Sequence, residues 1–148
     1  MVAIRLHFVL IVASVATMIG CADCPKTVIS RVQSQDAHYT AEVFSRDCGG
    51  ATPHNMRVKL TKNGTSDDAE VFRLTDVPYD VILKWQSPLR LIVTVECSLN
   101  TPEACLPARD QVWDLSKRRT WDTVQIDYEV GPNLRRIGTE SIIQRITR

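Results

Sequence analysis

The sequence has few of the patterns by which enzymes and metalloproteins are usually found. It contains no G-x-S-x-G nucleophile motif, no phosphate-binding P-loop and no H-E-x-x-H zinc motif. Beyond the N-terminal segment the only histidines, His38 and His54, are isolated, whereas a zinc site needs about four ligands. We therefore predict a non-catalytic protein without a cofactor or metal. An enzyme whose site is assembled from distant residues is the alternative.

Excess charge is also missing. Eighteen Lys and Arg residues face 17 Asp and Glu residues, which leaves a formal net charge of +1. A neutral chain lacks the basic surface expected of a nucleic-acid-binding protein, so we predict no nucleic-acid partner. The longest apolar run, residues 8–19, is shorter than the roughly 20 residues that a membrane-spanning helix requires.

That apolar run is instead typical of an export signal. Arg5 precedes it, no charge interrupts it, and the small residue Gly20 follows it. We therefore predict a signal peptide over residues 1–20 and a single mature domain over residues 21–148. Without Arg5 the mature chain is neutral, with 17 residues of each sign.

The residues around the cleavage site also predict an anchor. Residues 18–21, Met-Ile-Gly-Cys, resemble a bacterial lipobox, in which the final cysteine is diacylated. Family members usually have Leu first and Ala or Ser second, where this chain has Met18 and Ile19. We expect a lipid on Cys21 and, because Ala22 follows, attachment to the outer membrane facing the periplasm. The alternative is an ordinary secretory signal and a secreted or periplasmic protein.

The cysteine count agrees with lipid attachment. Five cysteines are an odd number for an exported protein, and lipidation of Cys21 leaves four that can pair in an oxidising compartment. We predict disulfide bonds among these four, and three pairings are open. They are Cys24, Cys48, Cys97 and Cys105.

Hydrophobic alternation predicts β-structure throughout the mature domain. Residues 124–130 alternate apolar and polar side chains without interruption, and Asn63-Gly64 is typical of a turn. Short strands separated by turns favour a small antiparallel sandwich or a partly open barrel. A basic tail over about residues 131–148 is predicted to form a short helix or a final strand. Strands are predicted at residues 39–43, 56–60, 71–74, 81–85, 89–95 and 124–130.

Three segments are similar to one bacterial family. Residues 32–44, VQSQDAHYTAEVF, resemble a SPDGxYxAxVF strand, and residues 46–52, RDCGGAT, resemble an RDCGAT loop. Residues 84–93, KWQSPLRLIV, resemble a later hairpin that contains Trp. The family comprises small β-rich proteins and lipoproteins of proteobacteria without an established activity. Gln35 and Ala37 replace its usual Pro and Gly.

The resemblance covers about residues 24–95 and carries expectations of its own. It implies a β-rich fold in the cell envelope, and it implies a Cys24–Cys48 bridge that leaves Cys97 to pair with Cys105. Because the family has no established activity, the resemblance implies no catalytic residue and no ligand.

One loop is the candidate for partner binding. Trp113 and Trp121 flank the basic residues Lys117, Arg118 and Arg119, a composition that suits an acidic or glycan partner. The alternative is a hairpin with packed tryptophans and a solvated charged turn. We expect a binding protein or envelope component whose partner is an envelope protein or glycan. A periplasmic inhibitor or interaction protein acting through this loop is the second interpretation.

Overall fold

The computed structural model describes residues 24–46, 55–75, 79–97, 115–133 and 144. Cys21, Cys48, Cys105, Trp113 and most of the basic tail lie outside these residues, so the signal peptide, the anchor and the C-terminal helix stay predictions. The described residues form nine strands: β1 (Lys26–Gln33), β2 (Tyr39–Arg46), β3 (Asn55–Lys62), β4 (Asp68–Thr75), β5 (Tyr79–Ser87), β6 (Arg90–Cys97), β7 (Leu115–Lys117), β8 (Thr120–Trp121) and β9 (Val124–Val130).

The strands form two sheets that make a sandwich. Sheet 1 has the order β1-β2-β3-β4-β7, and sheet 2 has the order β5-β6-β9-β8. Neighbouring strands are antiparallel, except that β6 and β9 run parallel. The predicted all-β class is confirmed. The two sheets do not close into a barrel, which is consistent with the predicted sandwich.

The core follows from the two-residue period of a strand, because successive side chains point to opposite faces of the sheet. In β9 the alternation Val124, Ile126, Tyr128 and Val130 is buried, as predicted. Trp85 is 9% exposed and belongs to the same core. From sheet 1 the core receives Ala41, Val43, Val58, Leu60, Phe72 and Leu74.

Strand β4 is longer than its sequence pattern indicated. The sequence pattern predicts a strand over residues 71–74, yet β4 begins at Asp68. The antiparallel ladder that starts at the Asn63-Gly64 turn pairs Asp68 with Thr61 and places polar side chains on the outer face of sheet 1. A register shift opposite Val58 accommodates Val71, which is nevertheless buried.

Four turns gather at one end of the sandwich. They comprise residues 34–38, 63–67, 88–89 and 122–123, and we call this region the hairpin end. Hydrogen bonds connect neighbouring turns: Asn63 N donates to His38 O at 2.8 Å, and Gln125 N donates to Leu89 O at 2.8 Å. Cys24 precedes β1 at the opposite end of the sandwich. Because β1 has eight residues, it separates Cys24 from the hairpin end by about 25 Å.

Two of the cysteines are described, and both are oxidised. Cys24 and Cys97 are each disulfide-bonded. The other three cysteines lie outside the described residues, so the pairing stays a prediction. Within the described part of the chain, no helix has the length and hydrophobicity needed to cross a membrane.

Candidate functional site

A solvent-open pocket of about 330 Å³ lies at the hairpin end and is lined by residues of both sheets. Sheet 1 contributes Lys62 at the end of β3, together with Asp67 and Asp68 at the start of β4. Sheet 2 contributes Trp121 from β8 and Asp122 from the turn that follows. The lining therefore combines one aromatic ring, one ammonium group and three carboxylates.

Asp122 connects the two sheets at the base of this pocket. Its Oδ2 atom accepts a hydrogen bond from Tyr39 Oη at 2.8 Å and another from Lys62 Nζ at 2.9 Å. Its φ angle of 51° is left-handed, which Asp tolerates better than most residues. The turn therefore presents the carboxylate to β2 and β3 of the opposite sheet.

These hydrogen bonds also set the charges of the partners. The bond from Lys62, followed by that from Tyr39, lowers the pKa of Asp122. The same contact with Asp122 raises the pKa of Lys62. Both shifts favour the charged forms that an Asp and a Lys side chain already have at neutral pH.

Trp121 is held against a buried tyrosine. The ring of Tyr39 meets that of Trp121 edge-on at 6.2 Å and stacks with Trp85 at 6.4 Å. Tyr39 is only 5% exposed, and its hydroxyl lies 2.9 Å from Thr123 Oγ1. Trp121 is partly buried, so core contacts orient its ring while part of its surface faces the pocket.

Asn63, which follows the pocket residue Lys62, connects two turns of the hairpin end. Its side-chain Nδ2 donates to Ala37 O at 2.7 Å, and its Oδ1 accepts from Thr40 Oγ1 at 2.8 Å. In the same turn, Lys62 N donates to Asp67 O at 3.0 Å. The sequence indicated a turn at Asn63, but it contained no sign that this side chain would join two turns.

The basic residues predicted as part of a binding loop have a different position. Residues 117–119 carry the chain from β7 of sheet 1 to β8 of sheet 2, and we call them the basic crossover. Lys117 Nζ and the Arg119 guanidinium lie 5.5 and 5.6 Å from the centre of the Tyr128 ring. Burial, and then the nearby Arg119 charge, lowers the pKa of Lys117.

The backbone of the basic crossover is anchored from both sides. Arg118 N donates to Val71 O at 2.8 Å. The Tyr128 hydroxyl donates to Arg118 O at 2.7 Å and also lies 3.0 Å from Val71 O. The side chains of Arg118 and Arg119 are exposed. The crossover is thus a fixed connection between the sheets, and only its arginine side chains project into solvent.

The structure therefore divides the predicted binding loop. Trp121 belongs to the pocket, where its charged neighbours are mainly acidic, and Trp113 lies outside the described residues. Sequence reasoning missed Lys62 and Asp122 as pocket residues, because nothing in either segment differs from an ordinary polar turn.

The outer faces of the two sheets carry opposite charge. Strand alternation and pairing assign six cations and three carboxylates to the outer face of sheet 1: Lys26, Arg31, Arg46, Arg57, Lys59, Arg73, Glu42, Glu70 and Asp68. The outer face of sheet 2 has four carboxylates and two cations: Asp80, Glu96, Asp127, Glu129, Lys84 and Arg90. A chain of nearly neutral sequence is therefore electrostatically two-sided.

Comparison with known proteins leaves this site to be interpreted from its own chemistry. No family model, curated protein or solved structure matches the chain significantly. The resemblance to the proteobacterial family stays a prediction. Among the described residues, no three His, Cys, Asp or Glu side chains are grouped so that they could hold a metal ion.

Proposed function

We propose that this chain is an exported bacterial envelope protein, anchored by a lipid on Cys21, that acts by binding through its hairpin end. The observation that carries the proposal is the pocket lined by both sheets, because its side chains are already oriented by hydrogen bonds. Tyr39 and Lys62 hold Asp122, while ring contacts hold Trp121. A site that is ordered before binding loses less entropy when its partner arrives.

The direction of the strands supports the proposed anchor. Cys21 is three residues before Cys24, and β1 then leads away from Cys24 to the hairpin end. Such an anchor would leave about 25 Å of β-strand between the lipidated end and the pocket. The recognition surface would thus face away from the membrane, where a partner has access.

An enzyme is the second candidate, because three carboxylates line one pocket. A carboxyl group acting as a general acid near neutral pH needs a raised pKa. The pKa of Asp122 is instead lowered by its two hydrogen-bond donors. Asp122 therefore suits a fixed acceptor better than a proton donor, and we favour binding.

The intact mass of protein purified from a bacterial envelope tests the anchor and the disulfide bonds. We expect a chain that starts at Cys21 and carries acyl groups. Alkylation should label the remaining four cysteines only after reduction. A mass without lipid would contradict the anchor and would make Cys21 a free or disulfide-bonded thiol.

Site-specific photo-crosslinking in envelopes tests the recognition surface. A photoreactive residue at Ser66 lies in an exposed turn of the hairpin end, and one at Thr27 lies at the exposed start of β1. We expect a crosslinked partner from position 66 and none from position 27. Crosslinks from position 27 alone would contradict a recognition surface at the hairpin end.

The same experiment separates the inhibitor or interaction-protein interpretation. That interpretation depends on the exposed arginines of the basic crossover, which leads directly into the strand that contains Trp121. Replacing Lys117, Arg118 and Arg119 by Ala should then abolish the crosslink from position 66. Crosslinking that survives this triple substitution would remove support for the crossover as the contact surface.

A further inference from the structure

The chemistry of the pocket indicates which class of ligand it accepts. Its volume of about 330 Å³ lies at the lower end of the range of about 300–1,000 Å³ for small-molecule sites. It is open to solvent on one side, so a ligand would rest against its wall. These features suit one end or one ring of a molecule better than an enclosed cofactor.

Charge makes an ionic ligand unfavourable. Asp67, Asp68 and Asp122 line the pocket and would repel an anion. A cation would meet the ammonium group of Lys62, which is paired with Asp122 at 2.9 Å, and Asp68 is already paired with Lys59 at 3.2 Å. Two of the three carboxylates are thus already neutralised within the protein, and a cation would have to compete for them.

A neutral ligand with hydroxyl groups is not repelled by the carboxylates and does not have to displace the lysines that are paired with them. Each carboxylate oxygen has two lone pairs, so Asp122 can accept further hydrogen bonds beside those from Tyr39 and Lys62. Asp67 and Asp68 add acceptors, and the three N–H groups of Lys62 exceed its single bond to Asp122. A ligand with neighbouring hydroxyl groups matches this set, because its hydroxyls can donate hydrogen bonds to the carboxylates and accept them from the ammonium group.

Trp121 supplies the apolar part of the site. Its indole ring lines the pocket beside these polar groups and is supported from behind by the ring of Tyr39 at 6.2 Å. Sugar rings have one face of C–H groups and a rim of hydroxyls. An aromatic wall with carboxylates and an ammonium group at its edge therefore complements both parts of a sugar.

We infer that this pocket binds a neutral saccharide unit, with Trp121 against the ring face and Asp67, Asp68 and Lys62 on the hydroxyl groups. The inference rests on the proposed function in one respect, namely that the hairpin end is the recognition surface. It adds the class of ligand. Since the lining comes from three separate strand ends, the site exists only in the folded protein.

The test is a titration of the purified full-length mature protein with neutral sugars, in which calorimetry and tryptophan fluorescence measure the binding. Glucose, galactose, N-acetylglucosamine and a neutral-glycan array serve as probes, and phosphate and tetramethylammonium serve as ionic controls. We expect binding of at least one neutral sugar and of neither ion. Binding of no neutral sugar, or stronger binding of either ion, would overturn the inference.

Substitutions locate the binding. Trp121→Ala should weaken the binding by roughly tenfold or more, because it removes the aromatic wall. Asp67→Asn changes an exposed side chain and should weaken it by about threefold to tenfold, through loss of one charged acceptor. Thr120→Ala, on the exposed neighbour of Trp121, is the matched control and should have no effect. Unchanged binding in Asp67→Asn and Trp121→Ala would also refute the site.

The outcomes distinguish this inference from the proposed function. A crosslink from position 66 without sugar binding would leave the hairpin end as a recognition surface and reject the saccharide. Sugar binding by a protein that carries no lipid at Cys21 would retain the saccharide site and reject the proposed anchor.

Discussion

Ala37 provides a direct test of the hairpin end. It is exposed, and its φ angle of 57° lies in the left-handed region that favours glycine. The turn nevertheless requires this conformation, because Ala37 N donates to Ser34 O at 2.9 Å and Ala37 O accepts from Asn63 Nδ2 at 2.7 Å. Replacing Ala37 by Gly should therefore relieve strain without losing a contact.

The magnitude follows from two opposing effects. A Cβ atom in the left-handed region costs roughly 1–2 kcal/mol. Glycine loses about 0.5–1 kcal/mol more conformational entropy on folding than alanine does. Ala37→Gly should therefore raise the free energy of unfolding by about 0.5–1 kcal/mol, or Tm by roughly 2–5 °C for a domain of this size.

Urea unfolding followed by tryptophan fluorescence measures this difference. Gln35→Gly is the matched control, since Gln35 lies exposed in the same turn without a left-handed φ. At Gln35 glycine relieves no left-handed strain, so only its larger loss of conformational entropy remains. The free energy of unfolding should therefore fall by about 0.5–1 kcal/mol. The reasoning would be refuted if both glycine substitutions lowered stability equally.

Three further predictions concern hydroxyl and carboxyl groups. Tyr128→Phe should lower the free energy of unfolding by about 1–2 kcal/mol, measured in urea, because Arg118 O loses the hydroxyl at 2.7 Å, whereas Val71 O keeps the bond from Arg118 N. The Asp36 carboxyl, bonded by Ser34, should titrate by NMR with a pKa of about 2. Its contribution to stability is then complete above about pH 4 and is lost as the pH falls towards 2. Tyr39→Phe should raise the pKa of Asp122 in the same titration, because one of its donors is removed.

Much of the fold is visible in the sequence because strand patterning is local. Alternation in residues 124–130 and the apolar runs around Trp85 predicted β9, β5 and β6 with small errors at their ends. Strand β1 escaped prediction because, at the edge of sheet 1, most of its side chains are exposed and no alternation results. The start of β4 was missed because cross-strand pairing, rather than hydrophobicity, extends it to Asp68.

The candidate site was only partly visible. Trp121 and the basic crossover were selected together because they are close in sequence, but the chain passes from one sheet to the other between them. Lys62 and Asp122 are 60 residues apart and meet at 2.9 Å. No local pattern predicts such a pair, since it depends on how β3 and the β8–β9 turn are placed by the rest of the fold.

The sequence by itself determined the all-β class, because side-chain alternation reports which face of each strand is buried. It also led to the predictions of an export signal, a lipid on Cys21 and disulfide bonds. Only the tertiary structure decided that four turns share one end, that Tyr39 and Lys62 converge on Asp122, and that a neutral composition separates into two oppositely charged faces. The physical reason is that sheet order and register, which no local pattern encodes, decide which distant residues become neighbours.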